Sequence, residues 1–150
     1  MHQLIFAFLL STLEAGAPGS GISWTKVDTN PVDIPAFLQK VSDEETVVLY
    51  VGAKWCEPCV RFKRAVQAGK LNALLDGVHF VEFDLDRQRS SLEVAGYQSR
   101  MIPLFCLPDG ETGQNSGNCI SGSVKGPGAI GNLVPRLQTM LGRGNGSGTR

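Results

Sequence analysis

Cys56 and Cys59 stand in Trp55-Cys56-Glu57-Pro58-Cys59, directly after the apolar run Val47-Val48-Leu49-Tyr50-Val51. A strand that delivers Cys-x-x-Cys to the start of a helix brings two sulfurs together where the helix dipole and free backbone N–H groups favour the thiolate, the reactive form of cysteine. The chemistry available to such a pair is thiol–disulfide exchange, in which one thiolate attacks a disulfide and the second sulfur resolves the mixed disulfide. A purely structural Cys56–Cys59 bridge is the alternative. It would close almost no chain loop and so stabilise little.

Two local groups can tune this pair. A carboxylate at Glu57 opposes ionisation of Cys56, and an ammonium at Lys54 favours it, with plain solvation as the competing reading for both. Pro58 is compatible with the first turn of a helix and stiffens the loop between the sulfurs. Cys106 and Cys119 are the other two cysteines. Four cysteines permit three pairings, and locality favours Cys56–Cys59 with Cys106–Cys119. Zinc is the rival use, but cysteine zinc sites usually present two close pairs, and twelve residues separate Cys106 from Cys119. A hairpin turning at Thr112-Gly113 would set these two residues opposite each other and allow a cross-strand bridge. A turn at Pro108-Asp109-Gly110 would put Cys119 out of register. A structural Cys106–Cys119 disulfide is the main reading, and an electron relay to Cys56–Cys59 is the alternative.

The elements that must position these residues follow from pattern. Residues 22–27 alternate as a first strand. Thr29 or Asn30 can cap a helix with Pro31 at its first position, and Ile34, Phe37, Leu38 and Val41 fall at helical spacing. Residues 45–53 are apolar on both faces, as in a central strand. A long helix is expected from about Cys56 to Gly69, a helical turn over 71–75, a strand over 78–85 and a short helix over 90–97. A strand over 102–107 then pairs with one over 118–124, and a last helix covers 130–141 despite Pro135. Parallel strands joined by helices, followed by a hairpin and a closing helix, predict an α/β fold: a central mixed sheet with helices on both faces.

The chain has 150 residues, with 14 basic and 14 acidic side chains. One domain is expected, over residues 22–141, and the charge balance gives no reason to invoke nucleic acid or an anionic membrane. The short run Arg61-Phe62-Lys63-Arg64 reads as a solvated helix face. Residues 1–17 hold the apolar stretch Leu4–Leu10 and the small-residue site Ala15-Gly16-Ala17, the pattern of a secretory signal, although no Lys or Arg precedes the stretch. The alternative is an apolar segment packed on the domain. Residues 18–21 read as a linker and the Gly-rich residues 142–150 as a disordered tail. A signal together with a second cysteine pair points to an oxidising, extracytoplasmic compartment such as the periplasm.

With these residues in place, the chain resembles the thioredoxin superfamily. The likeness covers about residues 22–141 and rests on Trp55-Cys56-Glu57-Pro58-Cys59 after a strand, on Ile102-Pro103 before another, and on the element order. It implies the thioredoxin fold, Cys56 as nucleophile with an exposed sulfur, and Cys59 as the buried resolving thiol. It also implies a cis Ile102–Pro103 bond, with the Ile102 backbone available to pair with an extended substrate, and Trp55 as part of the substrate surface. The implied activity is thiol–disulfide exchange without a cofactor on protein or peptide disulfides, in the reducing direction, with a thiol electron donor. The implied state is a monomer without stable membrane insertion. An oxidase or isomerase on the same scaffold, or a non-catalytic binding module, are the alternatives. Cys-Glu-Pro-Cys is also similar to the motif of extracytoplasmic reductases that serve cytochrome c maturation, but the insertion typical of those proteins is lacking here. Two positions depart from the thioredoxin pattern. Tyr50 stands where the family places a buried Asp as proton acceptor, and a phenol is a poor base at neutral pH. Gly52 stands in place of a second tryptophan. Glu82, near the place of a family lysine, is a candidate substitute base if it faces the same cleft.

Overall fold

A computed structural model describes residues 21–41 and 45–144. The proposed signal over 1–17, linker residues 18–20 and tail residues 145–150 lie outside the described residues. The elements run β1 (Ser23–Lys26), α1 (Ile34–Gln39), β2 (Thr46–Gly52), α2 (Glu57–Gln67), β3 (Val78–Asp84), α3 (Leu85–Val94), β4 (Leu104–Pro108), β5 (Asn115–Ser121) and α4 (Ala129–Met140). They build one five-stranded sheet in the order β1-β3-β2-β4-β5. The first three strands in that order are parallel, whereas β4 runs antiparallel to β2 and β5 antiparallel to β4.

The central strands divide their side chains between two cores, because successive residues of a strand point to opposite faces. Val48, Tyr50, Phe80 and Phe105 face one way and pack with Phe62 of α2 and Leu133, Val134 and Leu137 of α4. Leu49, Val51, Val81, Phe83, Leu104 and Cys106 face the other way, under Ile34 and Leu38 of α1 and Leu92 of α3. Both faces of β2 are therefore covered, which explains its unbroken apolar run.

Several boundaries differ from the sequence reading, each for a local reason. The α1 cap is Asp33, whose Oδ1 accepts from the Ala36 N–H at 3.0 Å, so Thr29 and Asn30 lie outside the helix. α3 starts at Leu85 rather than at residue 90. Asp84 caps it by accepting from the N–H groups of Asp86 and Arg87 at 2.9 and 3.0 Å. Its first turns, Asp86-Arg87-Gln88-Arg89, carry no apolar period to announce a helix. Gln88 is buried, and its amide donates to the carbonyls of Val27 and Thr29 at 2.9 and 2.8 Å. Residues 71–75 do form a single turn, in which the Leu75 N–H donates to the Leu71 carbonyl at 2.9 Å. α4 continues through Pro135, held by buried Leu133, Val134, Leu137 and Met140.

Neither candidate turn alone makes the β4–β5 hairpin. Asp109 closes a loop to Gln114: its N–H donates to the Gln114 carbonyl, and its own carbonyl accepts from Gly113, both at 2.8 Å. Gly113 sits at φ +69 against the Pro35 backbone, where a Cβ would collide. An irregularity between Cys106 and Pro108 then sets Cys106 directly opposite Cys119.

Candidate active site

β2 ends at Gly52, and a short turn carries the chain to Cys56, the N-cap of α2. The Cys56 Sγ accepts from the Cys59 N–H at 3.3 Å, so the sulfur occupies the position where unpaired N–H groups gather. Cys56 and Cys59 are joined as a disulfide with Cα atoms 5.2 Å apart. Exposure of the first sulfur was expected, but both residues are buried in this oxidised state, at 5% and 2% exposure. They belong to the apolar cluster that contains Phe62 and against which Ile102 packs.

Pro58 is buried in the first turn of α2. Val51 pairs with Leu104, and continuing that antiparallel register brings Pro103 opposite Gly52 and Ile102 opposite Ala53, at the end of the sheet from which the motif departs. The Ile102–Pro103 bond is cis, and the Pro103 carbonyl accepts from Gly122 at 2.9 Å. Trp55 is 65% exposed, and its indole N–H donates to Asp86 Oδ2 at 2.9 Å. Glu57 is turned from the sulfurs. Its carboxylate is paired with Arg61 and accepts from the Gly126 N–H at 2.9 Å. The Arg61 hydrogen bond first, and the Gly126 N–H second, hold this carboxyl below its ordinary range. Lys54 is exposed at the rim of the cleft described next.

That cleft lies behind Cys59, with a volume of about 340 Å³, and is lined by Tyr50, Gly52, Cys59, Lys63 and Glu82 among others. Tyr50 and Glu82 are register partners on β2 and β3. Burial first, and the Glu82 and Asp84 carboxylates second, push the Tyr50 phenol well above its usual 10.0, so it cannot serve as a base near neutral pH. The two departures from the family pattern are coupled in space. A Cβ at residue 52 would run into the Tyr50 hydroxyl, so Gly52 is what leaves room for the phenol. Glu82 does face the same cleft as Cys59. Lys63 Nζ donates to both its oxygens at 2.8 and 2.9 Å, and the Trp24 indole donates to Oε2 at 2.6 Å. Trp24 in turn stands edge-on to Tyr50 with ring centroids 5.1 Å apart.

Trp24, Lys63 and Asp86 were missed from sequence. Trp24 reaches the site only because β1 lies beside β3, a pairing no local pattern reveals. Lys63 sat in the run read as a solvated face. In fact Phe62 is fully buried, Arg61 serves Glu57 and Lys63 enters the cleft.

Cys106 and Cys119 form the second disulfide, across β4 and β5. Cys106 belongs to the α1/α3 core and Cys119 packs against it, while Cys56 and Cys59 belong to the α2/α4 core. The sheet separates the two pairs, so direct sulfur exchange between them has no path in this arrangement.

The mixed sheet ordered β1-β3-β2-β4-β5 thus carries a sulfur pair at the cap of its second helix. The fold is thioredoxin-like. Among solved structures it is similar to Trichomonas vaginalis thioredoxin, with a TM-score of 0.45 and 19% sequence identity over 69% of this chain and 87% of that one. No protein-family model matches the chain, and no match is found among curated proteins.

Proposed function

We propose that this thioredoxin-like domain is a thiol–disulfide oxidoreductase that reduces disulfides of exported proteins. The observation that carries the reading is the seat of the Cys56 sulfur at the α2 N-cap with Cys59 one turn behind it. In the dithiol form, the Cys56 thiolate attacks one sulfur of a substrate disulfide. The Cys56–substrate bond forms, the substrate bond breaks, and the departing thiolate takes a proton. Cys59 then loses its proton and attacks Cys56 Sγ, which closes Cys56–Cys59 and releases the second substrate thiol. Two electrons pass to the substrate, and a dithiol donor must return them.

The proton of Cys59 needs an acceptor, and we assign Glu82. It shares the cleft with Cys59, whereas Tyr50 is excluded by its raised pKa. Lys63 and Trp24 hold Glu82 in place. Substrate contact is supported by exposed apolar side chains on segments around the motif. These are Trp55 before Cys56, Met101 before Ile102, and Val124 next to the Lys125-Gly126 segment that Glu57 anchors. The Cys106–Cys119 bridge supports an oxidising compartment.

The test is capture. C59S should accumulate a Cys56 mixed disulfide with a reducible protein substrate, and C56S should accumulate none. Capture by both variants alike, or by neither while the wild type shows no turnover, would leave a non-catalytic module as the better account.

A further inference from the structure

A groove of about 590 Å³ opens between α2 and α4 and is lined by Glu57, Val60, Arg61, Arg64, Lys70 and Ile130 among others. It begins one residue from the nucleophile. Glu57, Arg61 and Arg64 are spaced by four and three residues, so they form one stripe along the helix. Exposed Pro127 and half-buried Ile130 add apolar surface.

The charge of this groove is one-sided. Its single carboxylate, Glu57, is already matched by Arg61 and the Gly126 N–H. Arg64 and Lys70 are exposed and make no ion pair among the described residues. Lys125 is exposed in the same Lys125-Gly126-Pro127 segment that borders the groove. The chain as a whole carries 14 basic and 14 acidic side chains, so this concentration is local and not a general excess of base. On the other flank of the motif the charges reverse, with Asp84 and Asp86 beside Trp55.

We propose that the α2/α4 groove is a docking site for an acidic segment of the partner protein, lying a few residues from the cysteine that Cys56 attacks. This rests on the oxidoreductase reading for its consequence in turnover, but the docking itself does not require it. Carboxylates of the segment pair with Arg64 and Lys70, and its apolar side chains cover Pro127 and Ile130. Lengths agree with a short linear segment. From Glu57 to Ala68 the helix advances about 16 Å, which about five residues of extended chain would span. Pairs at this exposure are individually weak, so the groove selects among substrates and does not anchor them.

The test separates docking from chemistry. A labelled, cysteine-free peptide bearing four Glu among Leu and Ala is titrated into the oxidised protein, beside its Lys-bearing counterpart. The Glu peptide should bind about fivefold more tightly, with the advantage falling as salt rises, and R64E/K70E should abolish or reverse the preference. R64Q/K70Q reduces the charge with a milder change and should lose most of the preference. Equal binding of the two peptides to the wild type, or an unchanged preference in both variants, overturns the proposal. So does tighter binding to phosphatidylserine vesicles or a single-stranded oligonucleotide than to the Glu peptide. In turnover, the Glu-bearing disulfide peptide should show a lower KM than the Lys-bearing one, and the variants should still reduce hydroxyethyl disulfide at the wild-type rate. A wild type that binds the Glu peptide selectively but reduces no disulfide would overturn the oxidoreductase reading and leave the docking site standing.

Discussion

The two disulfides of this domain sit on opposite faces of one sheet and differ in almost every physical respect. Cys56–Cys59 spans three residues at a helix N-terminus, beside a cleft that holds a carboxylate and an ammonium. Cys106–Cys119 spans thirteen residues, joins two directly opposed strand positions, and faces an apolar core. A bridge over three residues restrains the unfolded chain little, whereas one over thirteen restrains it substantially. These differences support exchange as the proposed role of the first pair and retention of the outer strand's register as that of the second.

The sharpest way to break that contrast is to remove each pair in turn. C56S should abolish disulfide reduction while leaving the midpoint of denaturation of the reduced protein nearly unchanged. C106S/C119S should do the reverse: measured against the oxidised wild type, it should cost about 3 kcal/mol of stability for a loop of this size, and it should keep turnover in the folded protein. Denaturant titration and an insulin-type reduction assay read both. Loss of turnover in a folded C106S/C119S protein would mean that the second pair takes part in the chemistry.

A smaller effect is expected at the coupled positions behind Cys59. G52A should destabilise by about 1–3 kcal/mol, because the added methyl meets the Tyr50 hydroxyl. Y50F/G52A should recover part of that loss, since the oxygen that collides is gone. Equal destabilisation in both backgrounds would show that the phenol does not occupy the space Gly52 leaves.

The smallest effect concerns acid. Glu57 has a folded-state pKa lowered from 4.5 by Arg61 and Gly126. A depressed carboxyl contributes stability above its unfolded value and loses it as pH falls through the folded value. Wild-type stability should therefore decline on acidification below about pH 4.5, and E57Q should decline less over the same range. Identical acid slopes would detach Glu57 from the Gly126 contact.

Much of the site was legible in the sequence because its signals are local. The apolar run into Trp55-Cys56-Glu57-Pro58-Cys59 places a strand, a cap and a helix start by adjacency alone, and Ile102-Pro103 marks the neighbouring strand in the same way. What was not legible depends on partners distant in sequence. Glu82 could be named as a candidate but not placed, since its cleft is formed by Trp24, 58 residues away, and Lys63, 19 residues away. The start of α3 was missed because a buried glutamine, and not an apolar stripe, locks its first turn to the β1 end. The hairpin register turned on an irregularity next to Cys106, which turn residues alone do not encode.

Selective alkylation of the fully reduced protein tests the contrast between the two pairs most directly. Iodoacetamide at mildly acidic pH, followed by peptide mapping, should label Cys56 well ahead of Cys59, Cys106 and Cys119, because only Cys56 has its sulfur at a helix N-cap. Equal labelling of all four cysteines, or Cys119 reacting first, would contradict the assignment of Cys56 as the nucleophile.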